Sequence, residues 1–377
     1  MRKQTAFGIL LLIIALTLVW ADRRVWAVAF LVVWLVVYLL REVRPLALRD
    51  IPLDELNARY AIDLRLDPPS GARSHPPVHY RSRYITLGDP ATAAGPDNAA
   101  QAGAVRYPMV HYCDSESDRP VLVALHGIMD SAHGWQGWMR EIGHHYRIVA
   151  PDLPGFGLTG PLLAGDYAVS MWVHFLDDFV AALRIEHFHL AGSSLGGGVA
   201  WNYAIRHPDK VQRLVLVDPV GYPQEVPDAV RIVARPGIAA IVPLFTPRWI
   251  FSGYVKQVYG DPARVTRPVV DRFFEIALRP GSRPAMIRVF QLLVQQSQDE
   301  TLPNGIANLH RLGIPTLLLW GEKDRWIPVQ HVARWQQDVP SIQAIVYSGA
   351  GHIPHEEMPE QTAQDVHRFL SCERQET

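Results

Sequence analysis

The pentapeptide Gly192-Ser193-Ser194-Leu195-Gly196 has the pattern G-x-S-x-G, with an apolar run before it and a helical pattern after it. A serine on a sharp strand-to-helix turn projects its hydroxyl from the sheet edge, and small flanking residues make that turn possible. Ser194, the central residue, is therefore the candidate nucleophile, and Ser193 is a decoy. A hydroxyl attacks poorly until a base takes its proton. That base is expected late in the chain, in the order serine, acid, histidine. Ser348-Gly349-Ala350-Gly351-His352 places His352 on a loop of small residues that leaves it free to reach Ser194. His355 is the rival, but it heads toward the last helix with Glu356 and Glu357 and reads as structural. In Gly321-Glu322-Lys323-Asp324, Asp324 can accept the other imidazole N–H and stabilise the imidazolium. Glu322 is expected to turn outward, and Asp218 is the second candidate for the acid.

A tetrahedral intermediate needs preorganised N–H donors. One is expected from the Leu195 amide, next to the nucleophile. The other is expected from His126-Gly127-Ile128-Met129, where Gly127 allows close approach and the Ile128 amide is preferred over that of Met129. His126 and Asp152 read as loop-forming residues rather than catalysts. No metal or cofactor is called for by this set.

Each of these residues follows a short apolar run, and the runs imply the scaffold. Residues 120–125, 146–150, 187–191, 214–217, 315–320 and 344–347 are strand-like, and helical patterns separate most of them. Buried parallel strands covered by helices on both faces read this way, and sites in such sheets lie at the carboxyl ends of the strands. Tyr80–Leu87 and Ala104–Tyr112 suggest a leading hairpin around an exposed loop, 88–103. Residues 45–79 look like a linker, since six prolines interrupt them. The interval 222–308 is Pro-rich and helical, with helix starts expected near Thr266 and Ser282 and an apolar face at Met286, Phe290 and Leu293.

Composition removes several alternatives. Lys+Arg number 36 and Asp+Glu 37, so no polyanion partner such as nucleic acid is indicated. Cys113 and Cys372, the two cysteines, form neither a disulfide framework nor a zinc site; they read as a core thiol and a tail thiol. Residues 5–21 and 25–40 are apolar and uncharged, with Asp22, Arg23 and Arg24 between them. Neither segment shows the polar stripe of a soluble helix. One continuous span would bury three charges near the bilayer centre, whereas a hairpin turning at 22–24 leaves them at the surface. A membrane anchor over 1–44 is therefore expected, although Val19-Trp20-Ala21 also resembles a signal-peptide cleavage site. Both ends of the hairpin, and the domain that follows, are expected on the cytoplasmic side of an inner membrane; the outward orientation is the alternative.

Together these residues resemble the α/β-hydrolase superfamily. The likeness runs over His126-Gly127, PDLPGFGLTG at 151–160, GSSLGG at 192–197, LVLVDPVGYP at 214–223, GEKDRWIP at 321–328 and GAGHIPHE at 349–356. It implies a mostly parallel sheet of eight strands with helices on both faces. The core would be split into 80–221 and 309–377 by a helical cap at 222–308. It further implies a serine hydrolase of the carboxylesterase or lipase type acting on apolar, possibly lipid-like esters. The alternatives are a carbon–carbon bond hydrolase of the meta-cleavage type and an inactive binding protein on the same fold. Dehalogenases and epoxide hydrolases of similar fold use an Asp nucleophile, which Ser194 argues against. The Gly-Gly-Gly oxyanion loop of some esterases is absent here.

Overall fold

The computed structural model describes residues 33–34, 37, 49–67, 77–88, 107–162, 167–244, 247–297 and 305–372. The chain divides into two units, residues 50–239 with 248–377, and residues 1–49 with 240–247. The first unit contains the sheet and the candidate site.

Nine strands form that sheet. They are β1 (Asp63–Leu66), β2 (Val78–Leu87), β3 (Tyr107–Asp114), β4 (Val121–Leu125), β5 (Arg147–Pro151), β6 (Phe188–Ser193), β7 (Val211–Val217), β8 (Thr316–Gly321) and β9 (Gln343–Tyr347). Their spatial order is β1-β2-β3-β5-β4-β6-β7-β8-β9. The pairs β1/β2, β2/β3 and β3/β5 are antiparallel, and every pair from β5 to β9 is parallel. Strands β4, β6 and β8 are buried along nearly all their length, as helices on both faces require. The edge strand β9 differs, with only Tyr347 buried, because it has a neighbour on one side alone.

The sheet has nine strands rather than the expected eight. The extra strand, β1, lies in the stretch 45–79 expected to be a linker, and a helix, Leu53–Tyr60, precedes it there. Proline does not exclude a helix here, because Pro52 sits at the N-cap, where it costs no helical hydrogen bond. Leu56, Ile62 and Leu66 tie this segment down by being buried. Four residues, DLRL, are too few to carry a period of their own.

Between β7 and β8 the described residues form helices and no strand. One helix, Arg267–Ala277, starts after Thr266 with a proline in its first turn. Another, Ser282–Gln296, starts after Gly281, whose φ of +81° suits glycine. The helix Arg248–Val258 turns Phe251, Val255 and Val258 inward. The apolar segments 5–21 and 25–40 lie outside the described residues, apart from Val33, Trp34 and Val37. Among the described residues no helix is long and apolar enough to cross a membrane. That statement does not reach those two segments.

Candidate active site

Ser194 occupies the turn between β6 and the helix Leu195–Arg206, with φ +52° and ψ −115°. An L-residue avoids this region unless its surroundings hold it there, and they do. The Ser194 N–H donates to Val217 O at 2.9 Å, while Ser194 O accepts from Gly198 N at 3.0 Å and Val220 N at 3.1 Å. The flanking glycines are sterically required. A Cβ on Gly192 would collide with the Gly196 backbone, and one on Gly196 would collide with the carbonyl oxygens of Leu125 and His126.

His352 lies beyond β9, its backbone N–H donating to Val258 O at 2.8 Å. Its ring Nδ1 donates to Asp324 Oδ2 at 2.7 Å. The other oxygen, Asp324 Oδ1, accepts the amides of Trp326 (2.7 Å) and Ile327 (3.1 Å), so the carboxylate is fixed from both sides. His352 Nε2 is buried and has no hydrogen-bond partner among the described residues. It is therefore the ring nitrogen left to accept a proton. No bond joins it to Ser194 Oγ, and such bonds often tighten only when substrate binds. The Trp326 ring stacks toward that of His352, with centroids 6.1 Å apart and planes inclined by 26°.

The rivals are also placed. Glu322 is fully outward, accepting from Ser348 Oγ and Gly349 N. His355 is buried with its ring 4.4 Å from that of Trp135. Neither of its nitrogens has a partner among the described residues, and burial pushes its pKa down to about 3. Asp218 stands beside the pair. Ligand atoms of Asp218, Asp324 and His352 lie within 4.8 Å of one another. Oδ1 of Asp218 accepts from Gly321 N at 3.0 Å, and Oδ2 has no partner among the described residues. Burial, reinforced by the charge of Asp324, drives its pKa well above the usual carboxylate range.

The amide of Leu195 is the first of its helix and has no helical acceptor. The second expected donor, Ile128, follows Gly127, where a Cβ would come within 3.2 Å of Ser194 Cβ. His126 orients that loop. It accepts Leu153 N–H at Nε2 (2.9 Å), so Nδ1 bears the proton donated to Gly127 O at 2.7 Å. Asp152 shapes the adjoining loop through the amides of Ala132 and Leu158, each at 2.6 Å.

Ser194, Leu195, Ile128 and His352 line one pocket, whose empty space including open solvent is about 870 Å³. Its described walls include Val169, Trp201, Val220, Val226 and Leu293, with no Asp, Glu, Lys or Arg among them. Leu293 thus serves the pocket, whereas Met286 and Phe290 on the same helix are buried elsewhere. A second serine–histidine–aspartate chain also exists. Ser82 Oγ and His111 Nε2 are 2.7 Å apart, as are His111 Nδ1 and Asp152 Oδ2. Sequence reading missed it because its members come from three separate strands or strand ends. It has the connectivity of a catalytic triad but not the setting. Ser82 Oγ already accepts Ile62 N–H at 2.8 Å, and His111 and Asp152 are wholly buried.

Residues 122–365 match the Alpha/beta hydrolase family. The chain is 30% identical over 263 residues to the 2-hydroxy-6-oxo-2,4-heptadienoate hydrolase of Pseudomonas putida strain F1, covering 69% of this chain and 92% of that protein. A solved meta-cleavage product hydrolase from Pseudomonas fluorescens IP01 is similar over 70% of this chain and 94% of that one, at 24% identity and TM-score 0.61. A crystal structure of a bacterial membrane phospholipase A is similar over 98% of each chain, at 22% identity and TM-score 0.57.

Proposed function

The chain belongs to the alpha/beta hydrolase family, and from that premise we propose that it is a serine hydrolase cleaving uncharged, apolar esters through an acyl-enzyme. Ser194 Oγ attacks the ester carbonyl while His352 Nε2 takes its proton. Asp324 holds the ring tautomer and stabilises the imidazolium. The amides of Leu195 and Ile128 receive the oxyanion. As the tetrahedral species collapses, the imidazolium returns the proton to the departing alcohol. Water then repeats the sequence on the acyl-enzyme and releases the acid.

The observation that carries the choice of substrate is the pocket wall, which has no lysine or arginine among its described residues. A dienoate substrate would bring a carboxylate into this apolar space, and burying an unpaired ion is costly. An uncharged ester suffers no such loss. The second reading, carbon–carbon bond hydrolysis, is supported by the relative named for a heptadienoate. Parallel assays on p-nitrophenyl esters of graded chain length and on a dienone acid separate the two. Preferred turnover of the dienone acid would overturn the ester reading.

The anchor belongs to the same proposal. Its support is the pair of uncharged apolar segments, 5–21 and 25–40, and the cationic residues that flank them. A hairpin there keeps the hydrolase near the inner leaflet, which fits a lipid-like substrate.

A further inference from the structure

Met129 is held at φ +62°, in the left-handed region that L-residues avoid because Cβ crowds the following carbonyl oxygen. Such a conformation persists only where neighbours over-determine it. It lies directly after Ile128, the candidate oxyanion donor. From the core side, Gly127 O accepts from His126 Nδ1 at 2.7 Å and from Asp130 N at 3.4 Å. From the cap side, the Tyr254 hydroxyl donates to Ile128 O at 3.2 Å. Arg272, also from the cap, lies 3.8 Å from buried Asp130 and bonds Glu356 at 2.8 Å.

Tyr254 is itself fixed. Its ring meets Phe273 edge-on at 6.2 Å and Trp326 edge-on at 5.2 Å, and the same Trp326 lies against His352. The carbonyl it holds belongs to the peptide between Ile128 and Met129. The orientation of that peptide sets ψ of Ile128 on one side and φ of Met129 on the other. If the plane turns, Met129 relaxes; the Ile128 N–H belongs to the preceding peptide, so the change reaches it only through the Ile128 torsions.

We propose that Tyr254 is a positioning residue for the oxyanion site: its hydroxyl keeps Met129 left-handed, and so keeps the Ile128 amide aimed beside Ser194. This rests on the hydrolase reading above. The cap then does more than enclose substrate, since one of its helices completes the geometry of a core loop.

The test uses the full chain and a p-nitrophenyl ester. Tyr254→Phe keeps the ring and removes the bond. It should lower kcat by about tenfold, less than outright loss of an oxyanion donor, with KM little changed. Inactivation by a fluorophosphonate, whose reaction also develops an oxyanion, should slow by a similar factor. Met129→Gly removes the reason for strain, so in a Met129→Gly background the effect of Tyr254→Phe should shrink severalfold. Unchanged kcat in Tyr254→Phe, or a rise confined to KM, would overturn the proposal. So would a loss of kcat that Met129→Gly does not relieve. If Tyr254→Phe does not fold, Met129→Gly alone decides: relief of strain predicts a higher Tm, and a lower one counts against it. Absence of both labelling and ester turnover in the unaltered protein would instead overturn the hydrolase reading, and this proposal with it.

Discussion

At the scale of single residues, the chemistry rests on which proton sits where. Ser194→Ala and His352→Ala should each remove nearly all ester turnover, by about ten-thousandfold or more, and the double variant should be little worse than either. Fluorophosphonate labelling should vanish entirely in Ser194→Ala; residual labelling would implicate Ser82 and its histidine–aspartate chain. The two neighbouring carboxyl groups should part company. Asp324→Asn places an amide where the imidazole N–H needs an acceptor, so kcat should fall steeply. Asp218 is driven toward its neutral form by burial and by Asp324, and Asn mimics a neutral acid, so Asp218→Asn should stay near wild type. The reverse outcome in kcat would move the orienting role to Asp218. His355 supplies a pH prediction. Its native pKa of about 3 lies below its ordinary 6.5, so the unfolded chain binds the extra proton. Its contribution is complete above pH 6.5 and is lost as pH falls toward 3, at no more than about 1.4 kcal/mol per pH unit. Urea unfolding of His355→Phe should therefore show a shallower acid decline than wild type, and identical slopes would refute the assignment.

At the scale of elements, the scaffold was readable where a strand was long enough to show its pattern. All six apolar runs from 120 to 347 are strands within a few residues, and Ser194, Asp324 and His352 stand after β6, β8 and β9. Chain order and strand-end position are what single them out as candidates, because turn chemistry is local. Contacts that cross the chain were not readable: Tyr254 and Ile128 are 126 residues apart, and no spacing rule pairs a tyrosine with a backbone carbonyl at that distance. The short strand β1 has too few residues to show a period, and the helix before it starts at a proline, Pro52, that caps rather than breaks it. Glycine positions test how the elements meet. Gly196→Ala would drive a methyl into the carbonyl oxygens at the end of β4, costing about 1–3 kcal/mol. Gly253, inside the helix Arg248–Val258, has nothing within 4 Å of an added Cβ. Gly253→Ala should therefore stabilise by about 0.5–1 kcal/mol through helix propensity. Denaturant midpoints that rank the two variants the other way round would contradict this packing.

For the whole molecule, the flanking charges of the apolar segments bear on where the hydrolase unit resides. The positive-inside rule counts Lys and Arg in short flanks. Arg2, Lys3, Arg41, Arg44 and Arg49 flank the ends of the proposed hairpin, and Arg23 and Arg24 occupy its turn. A hairpin with both ends inside places five of the seven on the cytoplasmic face, and the inverted hairpin places only two there. The proposal takes the first arrangement, under which the hydrolase would face the cytoplasm and an apolar ester partitioned into lipid would be its expected substrate. If only one segment spans, an inside start carries the hydrolase across instead, so the number of spans decides the compartment. Fusions of alkaline phosphatase and of GFP after Thr377 in a bacterial host discriminate between these cases. GFP fluorescence without phosphatase activity is expected. The opposite pair of signals would refute the cytoplasmic placement, and recovery of full-length protein in the soluble fraction without detergent would refute anchoring itself.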